Sequence, residues 1–314
     1  MNTERFNIVT VTLNPAIDRT VTIPHFTAGE VNRVETVRSN PGGKGVNVAA
    51  ALADAGHRVA VTGFLGRENT ASFESLFEEK KIADHFVRIA GQTRVGIKIV
   101  DPELHQTTDI NFPGPVASPV DVAAFERQLA ALNADCFVLA GSLPPGVEAT
   151  IYLQLIMALK SRGCHVVLDA SGEPLRHAIE AKPHLFKPNI HELGELLGAT
   201  PNGEREVVEA ARRLVARGIE TVVVSMGKDG ACFVTATEAL VARPPDVEVR
   251  STVGAGDAMV AGIVSAQIRK LPLADCAGLA TAFSVHALTR GAENTHPSHS
   301  IESIIPQVTI TPIQ

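Results

Sequence analysis

The residues Thr252-Val253-Gly254-Ala255-Gly256-Asp257 run directly into an apolar helical stretch at 258–268. Glycines just before a helix let backbone N–H groups converge on an anion, and the helix dipole adds to the attraction. Asp257 then falls in the first turn, a carboxylate placed beside an anion site. Such a group is a poor phosphate ligand and a good base for a hydroxyl next to a phosphate. An Asp at this position could also serve only to stabilise the helix N-terminus. A second anion site is suggested by Asn40-Pro41-Gly42-Gly43-Lys44-Gly45-Val46-Asn47, where three glycines and a lysine open a helix. The alternative there is a flexible turn with a solvated lysine. In Lys187-Pro188-Asn189-Ile190-His191-Glu192, Asn189 and Glu192 stand three apart at a helix start. They could hold a hydrated cation or close a capping box.

Other phosphate chemistries lack their signatures. Gly43-Lys44-Gly45 and Gly227-Lys228-Asp229 do not satisfy GxxxxGK[ST], and Gly254-Ala255-Gly256 lacks the third glycine of a dinucleotide fingerprint. The HRD and DFG set of protein kinases is missing. His296-Pro297-Ser298-His299 reads as a surface loop, because Pro297 prevents helical presentation and no acidic partner flanks the pair.

The elements that must position these residues read as alternating strands and helices. Short Val/Ile-rich runs at 8–13, 59–62, 136–140, 165–168 and 221–225 predict parallel strands covered on both faces. Helical periodicity lies between them, at 45–55, 122–132 and 204–217, the last stopped by Gly218. This pattern predicts a three-layer α/β fold, in which ligands bind beyond the carboxyl ends of the strands. Those ends are polar and glycine-rich: Asn14 to Asp18, Gly141-Ser142-Leu143-Pro144, Asp169-Ala170-Ser171, Lys187-Pro188-Asn189 and Ser225-Met226-Gly227. Two β segments interrupt the alternation, at 20–39 and 92–111, and are expected to form a lid. The stretches 183–188 and 244–245 read as loop punctuation.

Composition narrows the class. With 314 residues, 45% of them hydrophobic, the chain can fill one large core. Its 28 Lys and Arg against 34 Asp and Glu give a net charge of −6, which argues against nucleic acid as a partner. No apolar run suits a membrane span and the first residues lack a signal-peptide layout, so a cytoplasmic protein is expected, with Cys136, Cys164, Cys232 and Cys276 as reduced thiols.

In order and spacing, the segments at 42–47, 187–192 and 252–257 resemble the motifs of the ribokinase-like (PfkB) sugar kinases, over essentially the whole chain. Thr12-Leu13-Asn14-Pro15-Ala16-Ile17-Asp18, Gly29-Glu30-Val31-Asn32-Arg33, the lysine within the glycine run and Gly141-Ser142-Leu143-Pro144 look like its phosphosugar branch. Ala258 departs from that branch, which often carries Ser beside the base. The resemblance implies one domain over 1–314: a ribokinase-like α/β/α core with a mainly parallel sheet and a β-sheet lid from insertions at about 18–39 and 92–113. It further implies a homodimer through the lid. The implied activity is ATP-dependent phosphorylation of fructose 1-phosphate at its C6 hydroxyl. Tagatose 6-phosphate or fructose 6-phosphate is the alternative acceptor, a nucleoside kinase is disfavoured by Lys44 and Arg94, and a non-catalytic sugar-phosphate sensor is the alternative of another class.

The resemblance also implies roles. Asp257 would be the base, with Gly254, Ala255 and Gly256 forming the cradle for the transferring phosphoryl group. Asp18, Gly43 and Asn47 would meet the sugar, and Lys44, Arg94, Ser142 and Arg33 its phosphate. Arg33 could equally be a surface charge. Lys187, Ser225, Gly227, Gly230, Ser251 and Thr252 would border ATP, while Asn189 and Glu192 would hold Mg²⁺ through water.

Overall fold

Both faces of the strand β1 (Arg5–Thr12) are apolar, which requires packing on each side. In the computed structural model, which describes residues 5–104, 106–289 and 300–313, Val9 and Val11 enter one core layer and Ile8 the other. The chain then leaves the core for β2 (Ala16–Thr22) and β3 (Thr36–Gly42) and returns through α1 (Lys44–Asp54). After β4 (Val59–Gly66), α2 (Ala71–Lys80) and β5 (Ala83–Ile89), it leaves again for β6 (Arg94–Asp101) and β7 (Gln106–Asn111). The core resumes with α3 (Pro119–Ala131), β8 (Asn133–Ala140), α4 (Ile151–Ser161), β9 (His165–Asp169), α5 (Gly172–Ala178), β10 (Leu185–Phe186) and α6 (Ile190–Leu197). It continues with α7 (Glu204–Ala216), β11 (Thr221–Ser225), β12 (Ala231–Val234), β13 (Ala239–Arg243), α8 (Ala255–Ile268), α9 (Leu273–Thr289), α10 (Ile301–Ile304) and β14 (Thr309–Pro312).

The main sheet has the order β14-β13-β12-β11-β10-β9-β8-β1-β4-β5. Pairings from β5 to β11 are parallel, and those linking β11, β12, β13 and β14 are antiparallel. Side chains alternate across it. Phe137 and Leu139 pack with α3, α4 and α7 residues such as Phe125, Tyr152 and Val207, while Cys136 and Val138 pack with α1, α2, α8 and α9 residues such as Val46, Phe73, Val260 and Ala280. Helix α8 is apolar all round because it is buried between sheet and α9; a Cβ at Gly262 would stand 2.6 Å from Ala280 Cα.

The insertions form a separate sheet of order β3-β2-β6-β7, in which β2 and β6 are parallel and the outer pairs antiparallel. Its first strand pair reaches Ala16 and Gly42, beyond the expected bounds of 18 and 39. The stretch 183–188, read as punctuation, contains β10: Leu185 and Phe186 pair with both β9 and β11. The flanking Pro183 and Pro188 lack N–H donors, and the strand stays short. Neither β5 nor the antiparallel edge was anticipated. The four cysteines are buried free thiols, and no described helix is long and apolar enough to cross a membrane. His296 and His299 lie outside the described residues.

Candidate active site

The glycine–aspartate segment forms the start of α8. Gly254 is the residue before the helix, at φ +77°, a left-handed conformation that a residue with a Cβ adopts at a cost. Asp257 follows in the first turn and is 8% exposed. Asn47, one turn into α1, donates from Nδ2 to Asp257 Oδ2 at 2.7 Å. The two glycine-led segments thus meet, and the lysine-bearing helix holds the carboxylate of the other. Burial, reinforced by the nearby Asp169 carboxylate, pushes the Asp257 carboxyl up to about 6, against the pull of Asn47, Lys44 and Lys187. That value suits a base working near neutrality.

Beside this helix start is a compact charge cluster. Asp169 ends β9 and is 1% exposed. Lys44 Nζ lies 2.9 Å from its Oδ1, and Lys187 Nζ, on a side chain buried to 3% exposure, lies 3.7 Å from its Oδ2. Lys44 Nζ is also 3.7 Å from Glu192 Oε1. Burial alone would raise the Asp169 carboxyl, but the two ammonium groups outweigh it and hold it below the ordinary range. Burial likewise opposes the charge on Lys44, and Asp169 with Glu192 reverses the sign and raises it. A Cβ at Gly256 would stand 3.7 Å from Lys187 Nζ, so the ammonium lies against the cradle itself. Lys187 and a helix N-terminus therefore converge where a phosphoryl group would need its charge spread.

On the lid side, Asp18 sits on β2 opposite Gly96 of β6, with Gly42 of β3 also beside it. A Cβ at Gly42 would stand 2.5 Å from Asp18 Oδ2, and one at Gly96 2.9 Å from Oδ1. Missing side chains make this carboxylate's niche. Burial raises the Asp18 carboxyl, opposed by Lys98 and Arg94. Between lid and core opens a cleft of about 780 Å³ whose walls include Gly43, Lys44, Arg94 and Ser142, together with Asn14 and Asn111. Lys44 therefore faces the cleft while anchored to Asp169. Arg33 is exposed and is not part of that wall. Asp101 accepts backbone N–H groups from His25 and Phe26, after β2, and from Glu103 and Leu104, after β6.

Of the residues expected to border ATP, Ser225, Gly227 and Gly230 share one strand–turn–strand unit, while Ser251 and Thr252 precede the cradle. Ser225 at the end of β11 bridges to Asn189, and its N–H donates to Pro188 O at 3.0 Å. Gly227 opens the following turn, and Gly230 closes it against Ala242 O, where a Cβ would stand at 2.0 Å. Ser251 Oγ accepts from Val253 N at 3.2 Å, and Thr252 is exposed just ahead of the cradle. At Asn189 and Glu192 the capping box is formed: Asn189 Oδ1 accepts from His191 and Glu192 N–H, and Glu192 Oε2 accepts from Asn189 N–H at 2.8 Å. Glu192 Oε1 remains outside the box, toward Lys44. Among the described residues no group of three or more His, Cys, Asp or Glu could hold a metal directly; the Glu192 oxygen left outside the cap is an acceptor of the kind that meets a cation through its water.

Two residues at this site were not singled out from sequence. Asp169 had one signal, an acidic residue ending the otherwise apolar run His165–Asp169. Asn14 had its place in the Thr12–Asp18 motif and at a polar strand end but was given no role, and its amide spans lid and core.

The family model described as pfkB family carbohydrate kinase matches residues 11–299. A 1-phosphofructokinase of Rhodobacter capsulatus is 48% identical over 306 residues, covering 96% of this chain and 97% of its own. A 1-phosphofructokinase of Xanthomonas campestris is 44% identical over 290 residues, covering 90% and 91%. The crystal structure of phosphofructokinase-2 from Escherichia coli with substrates and products superposes with a TM-score of 0.89 at 28% identity, covering 96% of this chain and 99% of the other. With matching sequence, fold and an aspartate at the cradle, this chain belongs to the pfkB family of carbohydrate kinases.

Proposed function

We propose that this chain is a kinase that transfers the γ-phosphoryl group of ATP to the C6 hydroxyl of fructose 1-phosphate. The observation that carries the chemistry is Asp257, poised near neutrality at a helix N-terminus and held by Asn47. The sugar hydroxyl loses its proton to Asp257 while its oxygen forms the new bond to phosphorus. The bond to the β–γ bridging oxygen breaks, and that electron pair leaves with ADP. Backbone N–H groups of Ala255, Gly256 and Asp257, with Lys187 beside them, take the charge on the transferring group. The carboxylate oxygen that Glu192 leaves outside the cap would hold Mg²⁺ through water, and the ion would neutralise phosphate charge. Asp18 binds the sugar hydroxyls. Arg94, Ser142 and Lys44 bind the phosphate already on the sugar, which explains cations on the acceptor side of the cleft. Identity of 48% to a 1-phosphofructokinase over almost the full length supports fructose 1-phosphate as the acceptor.

A second copy covers the lid. Register places Val21, Val37, Ile97, Ile99 and Ile110 on the sheet face opposite Asp18, and Val37 and Ile110 are 57% and 43% exposed. Light scattering should give a dimer mass, and Val37→Lys should lower it.

The deciding experiment is coupled ADP release with Mg·ATP, comparing fructose 1-phosphate, fructose 6-phosphate and tagatose 6-phosphate. A clear kcat/KM preference for fructose 1-phosphate is the expected result. Preference for a 6-phosphate would reverse the sugar's orientation in the cleft. Binding without turnover would make the protein a sensor.

A further inference from the structure

Asn14 follows β1 and is 6% exposed, at the cleft wall. Its Nδ2 faces three acceptors: Pro113 O at 3.1 Å, Ser142 Oγ at 3.3 Å and Leu143 O at 3.3 Å. Two of these are carbonyls, which only accept, so they fix which end of the amide carries nitrogen. The Oδ1 end is buried without a donor and lies where a Cβ on Gly114 would stand 2.3 Å away. The backbone oxygen of Asn14 accepts from both Nε and Nη2 of Arg94, each at 3.3 Å. A single residue thus contacts both Arg94 and Ser142.

The chemistry of those contacts is directional. A serine hydroxyl that accepts from Asn14 must turn its own hydrogen elsewhere, and Ser142 lines the cleft. Asn14 therefore leaves Ser142 a donor toward an anion. The amide has two hydrogens for three acceptors, so one contact is always surplus. Pro113 belongs to the segment returning from β7, whereas Ser142 and Leu143 belong to the core loop after β8. A lid movement that withdraws Pro113 leaves both hydrogens on the core loop. We infer that Asn14 is the positioning residue of the sugar-phosphate subsite, aiming Ser142 through its amide and Arg94 through its carbonyl, and linking that subsite to the lid. The inference rests on the substrate reading above.

The test is a double-mutant cycle of Asn14→Ala and Ser142→Ala, run on whichever ketose phosphate the unaltered enzyme prefers. A wrong choice of sugar then overturns the substrate reading and leaves this one standing. Asn14→Ala should raise KM for the sugar phosphate about ten-fold, with KM for ATP and kcat within about two-fold. In the Ser142→Ala background the same change should add less than about two-fold, because its main route of action is gone. Additive effects, an unchanged sugar KM or an equal rise in KM for ATP overturn the inference. Should Asn14→Ala melt below the assay temperature, Asn14→Leu fills a similar volume without the amide and without added charge, so the same coupling is expected and its absence is equally decisive.

Discussion

Replacing Asp257 by Asn should make the protein more stable while nearly abolishing turnover. The wild-type carboxyl moves from 3.8 to about 6 on folding, chiefly through burial. At about 1.4 kcal/mol per pK unit, ionised Asp257 costs the folded state about 3 kcal/mol at neutral pH. Asn removes that cost, gives up about 0.3–1 kcal/mol of helix-dipole attraction, and still accepts from Asn47 through its oxygen. The net gain of about 2 kcal/mol corresponds to roughly 3 °C in Tm, given about 2.1 cal/mol/K of unfolding entropy per residue. The pH dependence fixes the cause. A carboxyl raised on folding penalises stability wherever the unfolded chain ionises it, so the advantage of Asp257→Asn should grow from pH 4 to pH 6, level off above, and vanish below pH 4. Loss of the base should lower kcat about 10²- to 10⁴-fold with little change in either KM. Melting curves from pH 4 to 8 and steady-state kinetics at pH 7.5 measure both. A Tm difference that is negative, or constant with pH, refutes the burial argument, and near-normal kcat refutes the base.

In the wild-type enzyme, kcat/KM should fall as pH drops through about 6, where Asp257 takes up its proton; a profile flat between pH 5 and 7 would contradict that role. Lys187→Met leaves buried Asp169 with only Lys44 as counter-charge, so urea unfolding should show a loss of about 2–3 kcal/mol. The same variant should lose about 10²–10³ in kcat/KM for ATP, and normal values of both would sink the cluster's assigned role. Gly42→Ala forces a Cβ to 2.5 Å from Asp18 Oδ2, which should raise KM for the sugar roughly ten-fold, about 1.4 kcal/mol, with KM for ATP unchanged. An equal rise for both substrates would place Asp18 outside the sugar subsite.

Sequence alone revealed the parts whose physics is local. Gly254 and Asp257 announce a helix start, and apolar residues on both faces of 8–13 and 136–140 announce covered parallel strands. Lid strands at β6 and β7 were legible from their β-rich run and intervening turn. What escaped was assembled from distant segments. Lys44, Asp169 and Lys187 come from three separate strand–helix junctions, so no spacing pattern brings them together. Asn14 looks like any turn residue until Pro113 and Ser142 arrive beside it. At Asn189 and Glu192, spacing allowed either a cation site or a helix cap. The cap is present, and one carboxylate oxygen is left over. Arg33 fits the motif, yet it is exposed and outside the cleft wall.

The strand order carries a consequence for synthesis. With β1 central, β4 and β5 add to one side and β8 through β14 to the other, each beside a strand already made. The main sheet can therefore be laid down as the chain leaves the ribosome, with no strand waiting for a later one to open its place. The lid is complete once β7 has emerged, and at about 5–20 residues per second Asp257 follows roughly 7–30 s later. A nascent chain in that interval has the sugar-side niche of Asp18, then both lysines, and neither base nor cradle. Until α8 and α9 emerge, the core layer that Val46, Phe73 and Val138 join lacks its other half, so covering that face of the sheet and completing the cradle are one event.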